Sequence, residues 1–178
     1  AGKGHKNCVY VTVGTGIGGG VYCEGKLVHG LMHPEVGHML LRAHPDDPAP
    51  DGFCPYHKGC LEGVASGPAI EKRWGQSAKE LPESHPAWEM EAHYLAQMCM
   101  NLMMTVSPEK IILGGGVMSQ SHLFPLIRKE FLRLLHGYIA CVEEAESLIV
   151  PPVCWPDSGL IGAVLLAKNT KRQDEENG

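Results

Sequence analysis

Two apolar runs that lead directly into glycines constrain the fold of this chain most. CVYVTV, residues 8–13, precedes GTGIGGG, and KIIL, residues 110–113, precedes GGG. Between them, apolar side chains recur at helical spacing from Trp88 to Val106, and Pro108 stops the pattern. Strand patterns that alternate with helix patterns predict an α/β fold.

The neighbouring segments extend this pattern. Alternating valines before GTGIGGG, followed by a second β-rich run up to Cys23, predict a β-hairpin. Ser66 and Gly75 bound a short segment with the start and stop signals of a helix. Further along, SHLFPLIRKEFLRLLHG and LIGAVLLA predict helices, and LIVPPVC predicts a strand. We expect one domain over residues 1–167 and a disordered, charged tail over residues 168–178.

Length and charge exclude several classes of protein. The chain has 178 residues, enough for one domain with a single core, and its formal net charge is -5. It contains no block of basic residues, which argues against a nucleic-acid-binding surface. It also lacks an apolar run of the roughly 20 residues that a membrane span needs, and its first residues do not resemble a signal peptide. We therefore expect a cytoplasmic protein that binds neither nucleic acid nor membrane.

The segment CPYHKGC has the spacing of a metal site. Cys54, His57 and Cys60 can turn toward one point from a single tight loop, as tetrahedral zinc requires. The alternative is a set of unrelated surface histidines and buried thiols, but three such residues at this spacing favour zinc. A closed site with four ligands would make the metal structural. Spacing leaves three candidates for the fourth ligand: His33, His38 and His44.

The two glycine runs are candidate phosphate loops. Glycines that follow a strand allow the backbone to approach a phosphate and to point N–H groups at it. Neither run is a Walker A loop, because no Gly-Lys-Ser/Thr follows. Each run alone is better explained by a turn that requires positive φ. Together, with a carboxylate candidate nearby, the two runs indicate a nucleotide-binding site as readily as two such turns.

Six motifs in a fixed order carry a resemblance to a known family. VGTGIGGG, HPEVGH, CPYHKGCLEG, ASGPA, IILGGGV and DSGLIGA resemble the C-terminal half of the ROK family of bacterial sugar kinases and sugar-responsive repressors. The resemblance extends from Cys8 to Ala167. It is closest to the fructokinase-like branch, because CPYHKGC replaces the commoner C-x-C-G-x-x-G-C and His57 takes the place of a cysteine ligand.

The resemblance implies a hexose site beside the metal. It selects His38 as the fourth zinc ligand and also places this histidine against the sugar. Glu35 of HPEVGH and Glu62 of CLEG are implied to accept hydrogen bonds from sugar hydroxyls. For Glu62 there is a simpler reading, a helix N-terminal acid stabilised by the helix dipole, which is compatible with sugar binding.

The resemblance also implies ATP, with Mg²⁺, in a cleft of the actin-like, ribonuclease-H-like ATPase fold. The residues implied to contact the ATP phosphates are Gly14, Thr15 and Gly16. Those implied to line the adenosine pocket are Gly115, Gly116 and Val117.

The family's first phosphate loop and its catalytic aspartate have no counterpart in these 178 residues. We therefore expect the chain to be the C-terminal half of a homodimeric, ATP-dependent hexokinase or fructokinase, inactive alone because phosphoryl transfer depends on positioned groups from both halves. Two alternatives stay open. One is the sugar-sensing domain of a ROK repressor, and the other is a zinc-stabilised dimerisation domain that binds no sugar.

Overall fold

A five-stranded mixed sheet forms the centre of the molecule. The computed structural model describes residues 1–140, 142, 145–154 and 156–176, with side chains as far as residue 167. The strand order is β3-β2-β1-β4-β5, in which β1, β2 and β3 are antiparallel neighbours and β1, β4 and β5 are parallel neighbours. The strands are β1 (Cys8–Val13), β2 (Ile17–Cys23), β3 (Lys26–Leu27), β4 (Lys110–Gly114) and β5 (Ile149–Val150).

Within the described residues, five α-helices connect or follow these strands. α3 and α4 pack against each other, and α3 also contacts α1. A 3-10 turn at Val36–His38 precedes the helices and contacts β2 and α1. The helices are α1 (Leu61–Ala65), α2 (Gly67–Trp74), α3 (Ala87–Val106), α4 (Leu123–Leu135) and α5 (Ser158–Glu176). None of the helices that the structure describes combines the length and the apolar composition needed to cross a membrane.

The predicted hairpin is present and forms the middle of the sheet. β1 and β2 pair from Cys8 opposite Tyr22 to Val13 opposite Ile17. The alternating side chains Val9, Val11 and Val13 are fully buried, because successive residues of a strand point to opposite faces and one face here meets the core. β1 also pairs in parallel with β4, so the mixed sheet confirms the predicted α/β class.

The helix signals at Ser66 and Gly75 act as predicted. The Ser66 hydroxyl accepts a hydrogen bond from the backbone N–H of Ala69 at 3.3 Å, and Pro68 lies in the first turn of α2. Gly75 ends the helix in the left-handed conformation at φ 72°. This short helix therefore has a fixed start. Its first residue, Gly67, donates its N–H to the carbonyl of Gly14 in the turn between β1 and β2.

The predicted strand in LIVPPVC is shorter than expected. Only Ile149 and Val150 pair with β4, because Pro151 and Pro152 have no N–H group to donate to the sheet. Near the end of the chain, α5 includes the predicted helix LIGAVLLA and runs to Glu176. The division into residues 1–167 and a disordered tail stays a prediction.

One carboxyl group is buried in the core on α3. Glu91 is 2% exposed, and its Oε1 has no hydrogen-bond partner among the described residues. Burial raises the pKa of Glu91 well above its usual 4.5, although the charge of Arg73 acts in the opposite direction. The side chain is therefore protonated in the folded protein at pH values where the unfolded chain has lost that proton.

This difference predicts a pH dependence of stability that Glu91→Gln removes. The contribution of the neutral carboxyl is fully present below the unfolded pKa and is lost as pH rises toward the folded pKa. In that range the wild-type free energy of unfolding should fall by up to about 1.4 kcal/mol per pH unit relative to the variant. Urea unfolding at pH 5 to 8 measures both, and Glu89→Gln on the exposed face of α3 is the control. Equal pH slopes for wild type and Glu91→Gln would contradict the assignment.

Candidate functional site

The structure brings four potential metal ligands together. One nitrogen or sulfur atom from each of His38, Cys54, His57 and Cys60 lies within 4.8 Å of the others. The His38 Nδ1 atom lies 4.0 Å from the Cys54 sulfur and 3.7 Å from the Cys60 sulfur, and His57 Nδ1 lies 3.8 Å from the Cys54 sulfur. Zinc bonds of ~2.3 Å to sulfur and ~2.0 Å to nitrogen, at a tetrahedral angle, separate the two ligand atoms by roughly 3.5 Å. The four side chains therefore fit a tetrahedral ion with little adjustment.

Backbone hydrogen bonds explain how His38 reaches ligands that are far away in sequence. Leu41 donates its N–H to the carbonyl of Gly59, and Leu61 donates to Met39. These bonds pair the segment after His38 with the segment before α1, and so close the long loop between them. The other two candidate histidines lie elsewhere: the ring of His33 contacts Glu35, and that of His44 stacks edge-on against His93.

The two thiols of the cluster have different environments. Burial alone raises the pKa of Cys54, but N–H groups of Tyr56 and His57 and the Cys60 side chain outweigh it, so the pKa lies below the usual value. Burial raises the pKa of Cys60. Zinc binds the thiolate form, so N–H groups that favour the charged form of Cys54 also favour metal binding.

The turn between β1 and β2 connects the residues predicted to bind the sugar with those predicted to bind the ATP phosphates. Ile17 donates its backbone N–H to Glu62 Oε2 at 2.9 Å. On the other side of the same residue, a β-carbon at Gly37 would lie 1.9 Å from the Ile17 carbonyl oxygen, so HPEVGH needs glycine to pack here. A β-carbon at Gly16 would lie 2.8 Å from Glu62 Oε2. These contacts hold CLEG and HPEVGH against one turn.

Glu35 and Glu62 differ in how firmly they are held. Glu62 lies in the first turn of α1, as the helix-dipole reading predicts, and its Oε2 accepts the Ile17 hydrogen bond. Glu35 is more exposed, and its Oε1 lies 2.8 Å from His33 Nε2. One oxygen of each carboxylate is therefore engaged within the protein.

A groove of about 570 Å³ lies beside the same turn. Four of the six amino acids predicted to bind ATP line this groove: Gly14, Thr15, Gly116 and Val117. Gly67 at the start of α2 donates its N–H to the Gly14 carbonyl at 2.8 Å, which fixes the helix against the turn. Gly115 does not line the groove, but it has φ +94° and packs on Val13, where a β-carbon would lie 2.4 Å from a backbone oxygen. Gly16 faces Glu62 instead.

A smaller pocket of about 140 Å³ adjoins the groove. Thr15 and Pro68 line both cavities, and Glu62 lines the smaller one. Sequence patterns did not indicate two lysines that line these cavities: Lys72 of α2 in the smaller pocket and Lys79 in the groove. Ordinary helix and linker positions carry no signal for such a role, although cations near a phosphate site favour anion binding.

The family of the chain follows from comparison with known proteins. The ROK family profile matches residues 1–170. The chain belongs to the ROK family. The fructokinase of Zymomonas mobilis is 45% identical over 169 residues, which cover 94% of this chain and 56% of that enzyme. The fructokinase of Pediococcus pentosaceus is 44% identical over 162 residues, covering 91% and 56%. This ROK chain thus spans a little more than half the length of the fructokinases that it matches.

A solved ROK structure shows the same fold. The ROK glucokinase of Streptomyces griseus, in complex with glucose and AMPPNP, matches with a TM-score of 0.73 and 26% identity. The match covers 95% of this chain and 62% of that one. The mixed α/β sheet is therefore that of the ROK sugar kinases, which have the actin-like ATPase fold.

Proposed function

We propose that this chain is the hexose- and nucleotide-binding C-terminal half of an ATP-dependent sugar kinase that phosphorylates fructose. One observation carries the proposal: Thr15 lies between the groove lined by Gly116 and the small pocket lined by Glu62. A nucleotide phosphate in the groove and a sugar beside Glu62 would meet at this turn. The fructokinase relatives favour a kinase over a repressor and support fructose as the sugar.

In the proposed sugar site, contacts within the protein hold the hydrogen-bond acceptors in position. Ile17 holds one oxygen of Glu62, so the other oxygen can accept a hydrogen bond from a sugar hydroxyl. Glu35 supplies a second carboxylate. His38 directs Nδ1 toward the two sulfur atoms, which leaves Nε2, on the far side of its ring, for a sugar contact. Carboxylates held in position before binding lose little freedom when the sugar arrives.

The nucleotide site is built from backbone. Gly14, Thr15 and Gly16 are the residues proposed for the ATP phosphates, and Gly115, Gly116 and Val117 those for adenosine. Glycine permits the backbone to approach the ligand, and the start of α2 adds the positive end of a helix dipole to the groove. Mg²⁺ enters with ATP, and none of the residues described above is assigned to it. None of the residues described above is proposed to accept the sugar proton.

We also propose that zinc occupies the cluster of His38, Cys54, His57 and Cys60. All four positions would be filled by protein, so the ion would stabilise the loop and would carry no reactive water. Cys60 is directly followed by α1, whose second residue is Glu62. A fixed metal loop would therefore also fix the start of the helix that presents this carboxylate to the sugar.

Sugar-dependent release of ADP from ATP tests the proposed function in the full-length protein that carries this chain. We expect turnover with fructose and Mg²⁺, and slower or no turnover with glucose and mannose. Omission of sugar is the control for ATP hydrolysis. Sugar binding without ADP release, together with binding to operator DNA, would replace the kinase with the repressor alternative. Absence of any sugar binding would favour a purely structural domain.

A further inference from the structure

A buried ion pair joins α2 to the loop between His38 and Cys54, and neither of its residues lines the groove or the smaller pocket. The side chains of Asp47 and Arg73 are 0% and 1% exposed. Arg73 Nε donates to Asp47 Oδ1 at 2.8 Å, and Arg73 Nη1 donates to the backbone carbonyl of Val64 at 2.8 Å. One guanidinium thus binds the loop that contains Asp47 and the helix α1 that contains Val64.

Further hydrogen bonds hold the loop around Asp47. The Tyr94 hydroxyl donates to Asp47 Oδ2 at 2.5 Å and accepts the backbone N–H of His44 at 3.1 Å. Ala49 donates its N–H to Asp47 Oδ1 at 2.8 Å. The middle of the segment between His38 and Cys54 is therefore fixed to α2 through Arg73 and to α3 through Tyr94.

The position of Arg73 indicates more than local packing. A buried ion pair costs desolvation free energy and is often no more stabilising than an apolar pair of the same size. This pair, however, joins two segments that each carry proposed site residues: the loop with the metal ligands, and α1 with Glu62. We infer that Arg73 is a positioning residue. It fixes the position of the loop between His38 and Cys54 relative to α1. This inference rests on the proposed function only for its consequence in sugar binding.

The test uses variants of the 178-residue chain that distinguish the loss of charge compensation at Asp47 from the loss of positioning by Arg73. Arg73→Met leaves the Asp47 charge buried without a countercharge, with only the hydrogen bonds from Tyr94 and Ala49. The double variant Asp47→Asn with Arg73→Met removes both charges. Arg73→Lys keeps a cation but offers one nitrogen in place of the two, Nε and Nη1, that donate here. Arg128→Met is the control, because Arg128 also donates to a backbone carbonyl, that of Ile149, but at the far edge of the sheet.

Two measurements report on how firmly the loop and α1 are held in place. The first is the rate at which bound zinc transfers to a chromophoric chelator. The second is amide hydrogen exchange in residues 39–66, which reports on local opening whether or not zinc is bound. We expect Arg73→Met to raise both rates at least ~5-fold, and the double variant to recover melting temperature without recovering either rate. Arg73→Lys should be intermediate, and Arg128→Met should leave both rates unchanged.

Several results would overturn the inference. If the double variant restored both rates to the wild-type values, the pair would serve only charge compensation. If Arg128→Met accelerated exchange in residues 39–66 as much as Arg73→Met, the effect would be general destabilisation. A wild-type chain without zinc would count against the proposed metal, while hydrogen exchange in the same residues would still decide the role of Arg73.

Discussion

Replacement of His57 by alanine should remove most of the bound zinc and lower the melting temperature by about 10 °C or more. The side chain is exposed, so its loss leaves no cavity in the core, and the effect must come through the metal. Binding free energy at a structural zinc site contributes directly to folding, and 1 kcal/mol corresponds to about 2–4 °C for a domain of this size. Metal analysis and thermal unfolding, with and without a chelator, measure the two effects.

Controls for this experiment are available in the same chain. His29→Ala removes another exposed histidine and should change neither zinc content nor melting temperature. Cys60→Ser should act like His57→Ala, whereas Cys99→Ser, at a fully buried thiol outside the cluster, should lower stability but retain the zinc. Zinc-free wild-type protein, prepared without chelators, would exclude the metal site. Equal zinc content in wild type and His57→Ala would exclude His57 as a ligand.

The second large effect is expected on sugar affinity when Glu62 is replaced by glutamine. The amide keeps the shape of the side chain and can still accept the Ile17 hydrogen bond, but it presents an NH₂ donor where a sugar hydroxyl needs an acceptor. In the full-length protein, if it has the proposed activity, we expect the Michaelis constant for fructose to rise at least about tenfold, which corresponds to about 1.4 kcal/mol. The constant for ATP should change much less.

Glu80→Gln is a suitable comparison for that experiment. Glu80 is exposed, and its carboxylate accepts the backbone N–H of Ser77 in the segment between α2 and α3. It should leave the fructose constant unchanged. Unaltered fructose kinetics in Glu62→Gln would show that this carboxylate serves only the turn and the helix dipole, which is the simpler reading of its position.

The four proposed zinc ligands show how much of the site sequence spacing alone can predict. Cys54, His57 and Cys60 were predictable because they lie in one short loop, where the sequence itself fixes their proximity. His38 lies 16 residues before Cys54. Its choice over two other histidines depends on the pairing of Leu41 with Gly59, which spacing does not reveal and which only the family resemblance indicated in advance.

Other features had no readable pattern in the sequence. α1 has five residues, too few for a periodic signal, and such a short helix depends on its neighbours for stability. Asp47 and Arg73 are 26 residues apart, and Tyr94 is 47 residues from Asp47. A charged residue in a proline-rich loop, such as Asp47, predicts an exposed side chain. The sequence therefore does not indicate that Arg73 of α2 and Tyr94 of α3 bind it in the interior.

The position of Thr15 between two cavities has a thermodynamic consequence. The proposed sugar and nucleotide would both contact Thr15, so the ligand that binds first holds a side chain that the second ligand also contacts. Sugar and nucleotide should therefore bind cooperatively. Because such coupling is reciprocal, the factor by which fructose tightens nucleotide binding must equal the factor by which the nucleotide tightens fructose binding.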